Sequence, residues 1–423
     1  IDSVFLSLAS HCILKDVAIN GKTIDNWKLD SAYEVIKILL SEPLLADSSI
    51  SIEMNMRKDF EGFSQGDPQA SLVFVGSFAS IDEYLPVMGF DESKRLNENR
   101  LRLAYDLPRL SSLLAETADQ QALLTDAFRS DAIASPAKMT IGSSADQTPV
   151  GSGRKVKSWE ENGRSYMSFI LDSAESINWY VGSAPYNILG KDSQTEVYHL
   201  AKHPFNAKLY QSIMYKAKQF LVQHLGSFPY ASVRLYEIPF YQEEVYAFSQ
   251  GIAISEKAGW IADTSGLKEK AYLHFTIGQA MAQQWIQHHL KISDVQGADM
   301  IKIAMPGALA LQFVKTSLGE KAVKELEEQM LKIYNKERHN DPIGEPPLLY
   351  ADGKDYLEQN LGSLALYEWS EELGLDSFAA TIQRLPSASA WIHFPSIYQH
   401  LLTQAPTQDR KDYWKNRFET VTK

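Results

Sequence analysis

The chain carries one cysteine, Cys12, in 423 residues. A single thiol closes no internal disulfide and builds no multi-thiolate metal site, so the fold has to stand on packing. Long apolar runs are missing too. No stretch approaches the roughly twenty residues that cross a bilayer, and the first residues lack a basic region followed by a cleavage site. Positive charge is in short supply: 41 Lys and Arg stand against 53 Asp and Glu, a net charge of −12. That balance argues against nucleic acid as a partner, because phosphate binding needs a concentrated basic surface. The one dense basic stretch, Arg154 to Lys157, sits beside Glu160 and Glu161 and reads as a solvated hairpin. There is no G-x-S-x-G elbow, phosphate loop or G-x-G-x-x-G, and no internal repeat or low-complexity segment. The chain begins without methionine, and its end at Phe418–Lys423 reads as the start of another element, so a piece of a larger protein is expected.

What is present suffices for well-packed cores: 44% of residues are hydrophobic and 11% aromatic, and the length calls for two or three domains. From His11 to about Phe60 short apolar alternation is broken by Asn20-Gly21, a hairpin signal. Ser51–Met56 alternates strictly, and Leu72–Phe78 reads as one strand. Leu101–Phe128 reads as mostly helical or irregular. Lys138–Ile141, Val150–Val156 and Trp159–Leu171, around Glu161-Asn162-Gly163, return to a strand meander that ends near Ile188. After Asn206 the period changes: Ala207–Leu225 is an amphipathic helix stopped by Gly226 and Pro229. Val233–Ile238 and Ala247–Ile254 read as strands. Helices follow over Ala304–Tyr334, Leu357–Leu373 and from Pro395. The fold class is α+β and multidomain: an N-terminal mainly antiparallel β domain over 1–195, an α+β domain over 196–340, and its helical C-terminal part over 341–423.

The stretch that organises the second half is Ala271–Leu290, AYLHFTIGQAMAQQWIQHHL. Gly278, Met281, Ala282 and Trp285 fall on one buried stripe of a helix, while Gln279, Gln283 and Gln287 recur every fourth position on another face. His199 and His203 flank a strand end that runs into Pro204. That spacing does not bring two imidazoles together, and both read as surface or loop histidines. His288 and His289 are adjacent, point to different sides, and suit the C-terminal end of the helix.

Ser255–Ile261, then a helix with Ala282-Gln283-Gln284-Trp285, together with His203–Tyr241, Val295–Met300, Gly344–Leu348, Ile19–Lys22, Pro86–Leu96 and Trp159–Tyr166, resemble the aminopeptidase-N-like gluzincins. The resemblance is strongest to the branch fused to bacterial ABC-transporter permeases, and it covers nearly the whole chain. It implies a thermolysin-like second domain, a location on the extracytoplasmic side of a bacterial membrane, and a flanking membrane domain of a transporter.

In that family the helix carries H-E-x-x-H, two imidazoles that bind zinc and a Glu that deprotonates the metal-bound water. The matching positions here are Gln279, Ala280 and Gln283. The third ligand, a Glu on the next helix, matches Lys302 or Ile303, and the oxyanion tyrosine matches Gln359, with Tyr356 about one turn away. Amides are poor zinc ligands and Ala280 takes no proton, so zinc is expected of the family and not of this chain, and no metal site is expected. Glu256 matches the family's glutamate that holds a substrate's N-terminal amine. The first expectation is therefore a catalytically inactive peptidase-like module that binds a peptide, an N-terminal amine or a partner. The alternatives are an aminopeptidase-like hydrolase with displaced catalytic residues and a structural spacer.

Overall fold

The structure is a computed structural model that describes residues 1–9, 11–59, 72–89, 96, 99–110, 112–128, 136–171, 179–191, 193–240, 245–256, 259–341, 344–385 and 391–421. Part of the Pro86–Leu96 motif lies outside them.

The first half is antiparallel β. Ser3–Ser7 lies between Val35–Leu39 and Val87–Met88, and Cys12–Ile19 pairs with Lys22–Ile24 and Ile52–Lys58. Both predicted Asn-Gly turns form. Asn20 and Gly21 sit at φ 50° and 75°, and Asn162 and Gly163 at 51° and 70°, the left-handed pair that a two-residue hairpin needs. The second turn joins Arg154–Glu161 to Arg164–Leu171. The apolar run expected to be one strand from Leu72 is instead two, Leu72–Val73 and Gly76–Ser80, which pair with each other around an exposed Phe74. The expected helical content of 101–128 reduces to Asn99–Ala104 and one 3-10 turn at Ala122–Leu124.

The second half is built on a five-stranded sheet, in spatial order Tyr186–Leu189, Thr195–Leu200, Val233–Ile238, Gly251–Ser255 and Val245–Phe248. The three inner strands are parallel and both edges antiparallel. Every residue of the three inner strands is buried, as a parallel sheet covered on both faces requires. Side-chain alternation divides the load. Val197, Leu235, Ile252 and Ile254 join the helical core, while Tyr198, Tyr236 and Ala253 turn the other way, against Phe78 and Val150 of the first half.

The helical side starts with Ala207–Leu225, whose buried stripe runs through Tyr210, Ile213, Met214, Ala217 and Leu221. Leu267–His289 follows, then Met305–Leu318 and Glu320–Asn340, Ser363–Leu373, Leu375–Gln383, Phe394–Thr403 and Gln408–Glu419. Two of these helices are entered through π-helical turns, Met300–Ala304 and Tyr356–Gly362. The segment 112–128 of the first half crosses onto the second through bridges between Ala115 and Val295 and between Asp126 and Ser293.

Gln284, fully buried, fixes the long Leu267–His289 helix to the sheet. Its Nε2 donates to the carbonyls of Phe248 and Gly251, each at 2.7 Å, at the turn between the last two strands. Gln284→Leu would strand both carbonyls in an apolar interior and is expected to lower unfolding free energy by about 2–3 kcal/mol, measured by urea denaturation.

Candidate functional site

All five of the positions that the resemblance matches to zinc chemistry are carried by Leu267–His289 and the two π-helical turns. Gly278 lets the long helix approach Met305–Leu318: a Cβ there would come within 2.9 Å of the Phe313 ring. Gly307 packs where a Cβ would be 3.6 Å from Gln279 Nε2. This close packing brings together amides 80 residues apart in sequence. Gln279 Nε2 donates to Gln359 Oε1 at 2.8 Å, and Gln359 Nε2 donates back to Gln279 Oε1 at 3.0 Å. Gln279 Nε2 also reaches the carbonyl of Ile303 at 3.4 Å. The positions that the resemblance matches to the first ligand, the third ligand and the oxyanion residue thus converge, and two of the residues there, Gln279 and Gln359, close into a reciprocal amide pair.

The remaining positions divide. Ala280 is 3% exposed and packs in the helical core, and Gln283, one turn on, is half-buried. Lys302 faces away from the pair. Its Nζ lies 2.9 Å from Asp299 Oδ1, donates to the Ala127 carbonyl at 3.1 Å, and sits over the Phe128 ring. Of the two candidates for the third-ligand position, Ile303 is the one at Gln279. Tyr356 is engaged elsewhere and donates to Asp341 Oδ2 at 2.9 Å.

The zinc that the fold family implies does not fit this donor set. Each amide is neutral and already uses its acceptor and a donor on the other, and neither Ala280 nor Ile303 offers a side-chain donor. Among the described residues no group of three or more His, Cys, Asp or Glu is placed to hold a metal ion.

Beside Gln359, Glu358 is fully buried. Its Oε1 accepts from the backbone N–H groups of Gly353 and Lys354, each at 3.1 Å. Burial, with the Asp299 charge adding to it, pushes its carboxyl up to about 8 against the opposing hydrogen bonds.

Glu256 lies on a different element from the amide pair. It follows Gly251–Ser255 at the carboxyl end of that strand, whereas Gln284 binds the opposite end, about 16 Å away at ~3.3 Å per residue. Its neighbour is His203, whose Nε2 lies 3.5 Å from Glu256 Oε1. His203 Nδ1 in turn bonds Glu237 Oε1, and Glu237 Oε2 accepts from the Leu200 N–H at 2.7 Å. The reading of His199 and His203 as surface histidines is corrected here: they are 8% and 6% exposed. The chain turns back on itself after Leu200, where the His203 N–H donates to the Leu200 carbonyl, and this carries the imidazole beneath Glu237. Glu237 is a site residue with no local sequence signal. It sits in the apolar strand VRLYEI, and its partner is 34 residues away. His203, Glu237 and Glu256 occupy the carboxyl ends of the three parallel strands, where open α/β sheets place their ligands.

No protein-family model matches the chain, and no curated protein matches it either. Solved structures do. An M1 zinc metallopeptidase mutant from Deinococcus radiodurans bound to a Tyr-Ser-Ala substrate superposes with a TM-score of 0.65 at 12% identity, over 100% of this chain and 88% of that one. An M1 zinc metallopeptidase from the same organism superposes with a TM-score of 0.61 at 14% identity, again over 100% and 88%. The chain has the M1 peptidase fold. At this identity the likeness is one of architecture: two parts, with antiparallel sheets first and helices last.

Within that fold, Glu358 gives a pH signature. Its folded-state pKa, about 8, lies above the ordinary 4.5, so the unfolded chain releases a proton that the folded chain keeps. Its stabilising contribution is complete below the ordinary value and is lost as pH rises through about 8. Glu358→Gln is expected to remove this slope and to gain on the order of 3 kcal/mol over wild type between pH 5 and 8, read by chemical denaturation at both ends.

Proposed function

We propose that this chain is a binding module with the M1 peptidase fold that does not hydrolyse peptides and captures the free amino end of a peptide or partner protein. The reciprocal Gln279–Gln359 pair carries this reading, because it fills the converged site with neutral amides that neither bind zinc well nor activate water. Ala280, where the general base would stand, has no group to accept a proton.

The ligand class is supported by two observations. Structures sharing the fold hold Tyr-Ser-Ala, L-tryptophan or L-arginine, each of which carries a free α-amino group. Glu256 offers a partly exposed carboxylate at a strand end, the kind of group that holds an ammonium. The sequence resemblance to permease-fused members further supports a place on the extracytoplasmic side of a membrane, beside a transporter. No helix among the described residues is long and apolar enough to cross a membrane. Protease protection of the full-length protein in sealed vesicles would test that location.

The deciding experiment is metal content by mass spectrometry after zinc loading and dialysis, run with turnover of fluorogenic aminoacyl substrates. The expected result is neither stoichiometric zinc nor turnover. Tightly held zinc with chelator-sensitive hydrolysis would overturn the proposal. Hydrolysis that survives chelators and disappears in Glu256→Ala would instead establish displaced catalytic chemistry.

Short peptides with a free amine are expected to bind, and N-acetylated ones to bind at least tenfold more weakly, a difference of about 1.4 kcal/mol. Glu256→Gln is expected to produce a loss of the same size. Equal affinity for acetylated and free peptides would remove Glu256 as the anchor, and absence of binding would favour a structural spacer.

A further inference from the structure

The contacts of His203 are asymmetric. Its inner side is fixed: Glu237 is fully buried, one carboxylate oxygen is taken by the imidazole Nδ1, and the other is taken by the Leu200 N–H. Its outer side is loose. Nε2 and Glu256 Oε1 are 3.5 Å apart, beyond a good charged hydrogen bond, and the Glu256 side chain is 23% exposed where His203 is 7%.

Proton counting follows from this geometry. Nδ1 donates to the Glu237 carboxylate. If Nε2 carried a bare lone pair, two acceptors would face each other at the outer contact. A proton on Nε2 removes that clash and gives a relay of carboxylate, imidazolium, carboxylate with a net charge of −1, in which the bonds from His203 and the Leu200 N–H oppose the burial that raises the Glu237 carboxyl. An ammonium group arriving at Glu256 would then put two cations on one carboxylate in a poorly solvated strand end.

We propose that Glu237, His203 and Glu256 form a proton-exchanging amine site, in which a ligand ammonium docking on Glu256 displaces the proton from His203 Nε2 to solvent. The proposal rests on the reading of Glu256 as the amine anchor. The balance is one ammonium in and one proton out. The imidazole is left neutral with Nδ1–H still donated to Glu237, and the net charge of the site is unchanged. The inner pair holds the ring in the one orientation from which the exchange can occur, which makes Glu237 the positioning residue for His203.

The other titratable groups that face the relay among the described residues are phenols. Tyr186 donates to the Glu237 carbonyl from the edge strand, and Tyr210 lies on the Ala207–Leu225 helix. Burial raises both far above the ordinary phenol range, so neither exchanges protons near neutrality. His199 is turned to the Leu200 carbonyl.

The test is titration calorimetry with trialanine at pH 6.5, in phosphate and in Bis-Tris, buffers of different ionisation enthalpy. At that pH the ligand amine, with a pKa of roughly 7.7–8.0, stays an ammonium throughout. The expected slope of apparent enthalpy against buffer enthalpy corresponds to about one proton released, and affinity should rise with pH between 5.5 and 6.5, approaching tenfold. His203→Gln, which can still donate to Glu237, is expected to bring the proton count to zero. The pH slope of the wild-type protein decides the matter without relying on that variant's folding. Binding with no proton exchanged would overturn the relay while leaving the amine anchor standing. No binding of trialanine to the wild-type protein would overturn the anchor, and the relay with it.

Discussion

The constraint on which the rest depends is that the five-stranded sheet is covered on both faces. Its three inner strands have no wet side, so they alternate between two dry ones: Val197, Leu235 and Ile254 toward the helices, Tyr198 and Tyr236 toward the first half. Polar groups at the ends of such strands cannot turn to water and must be answered from within. Gln284 answers the Phe248 and Gly251 carbonyls at one end. The Leu200 N–H and the His203 ring are answered by Glu237 at the other. A buried glutamate near the end of VRLYEI would be costly alone, and its hydrogen bonds to His203 and the Leu200 N–H make it tolerable.

The amide pair solves a different problem at the same kind of depth. A metal site of imidazoles and a carboxylate concentrates charge that the surrounding protein must balance. Two glutamines facing each other bring hydrogen bonds and no net charge, and they ask nothing of Ala280 or Ile303 except volume. The two glutamines are therefore mutually consistent. Gln279 without Gln359 would leave a half-buried amide short of partners, whereas the two together satisfy one another.

Much of the fold could be read from residue order. The Asn20-Gly21 and Asn162-Gly163 turns, the change from alternation to a helical period after Asn206, and the buried stripe of Leu267–His289 are local signals, and each reflects a local physical cause. The split of Leu72–Ser80 into two strands was hidden because an unbroken apolar run conceals a tight turn at Phe74 and Val75. The choice between Lys302 and Ile303 depended on a π-helical turn, which adds a residue without a compositional mark. The convergence of Gln279, Ile303 and Gln359 followed from the family resemblance, but their hydrogen bonding to one another did not. The partnership of His203 with Glu237 is carried entirely by tertiary structure: a turn after Leu200 decides it, and neither residue's neighbours announce it.

The reciprocity of the amide pair has an electrical consequence. Two amides that each donate to the other lie antiparallel, so their dipoles oppose and largely cancel. The Gln279–Gln359 pair is consequently almost silent as an electric field, whatever it faces.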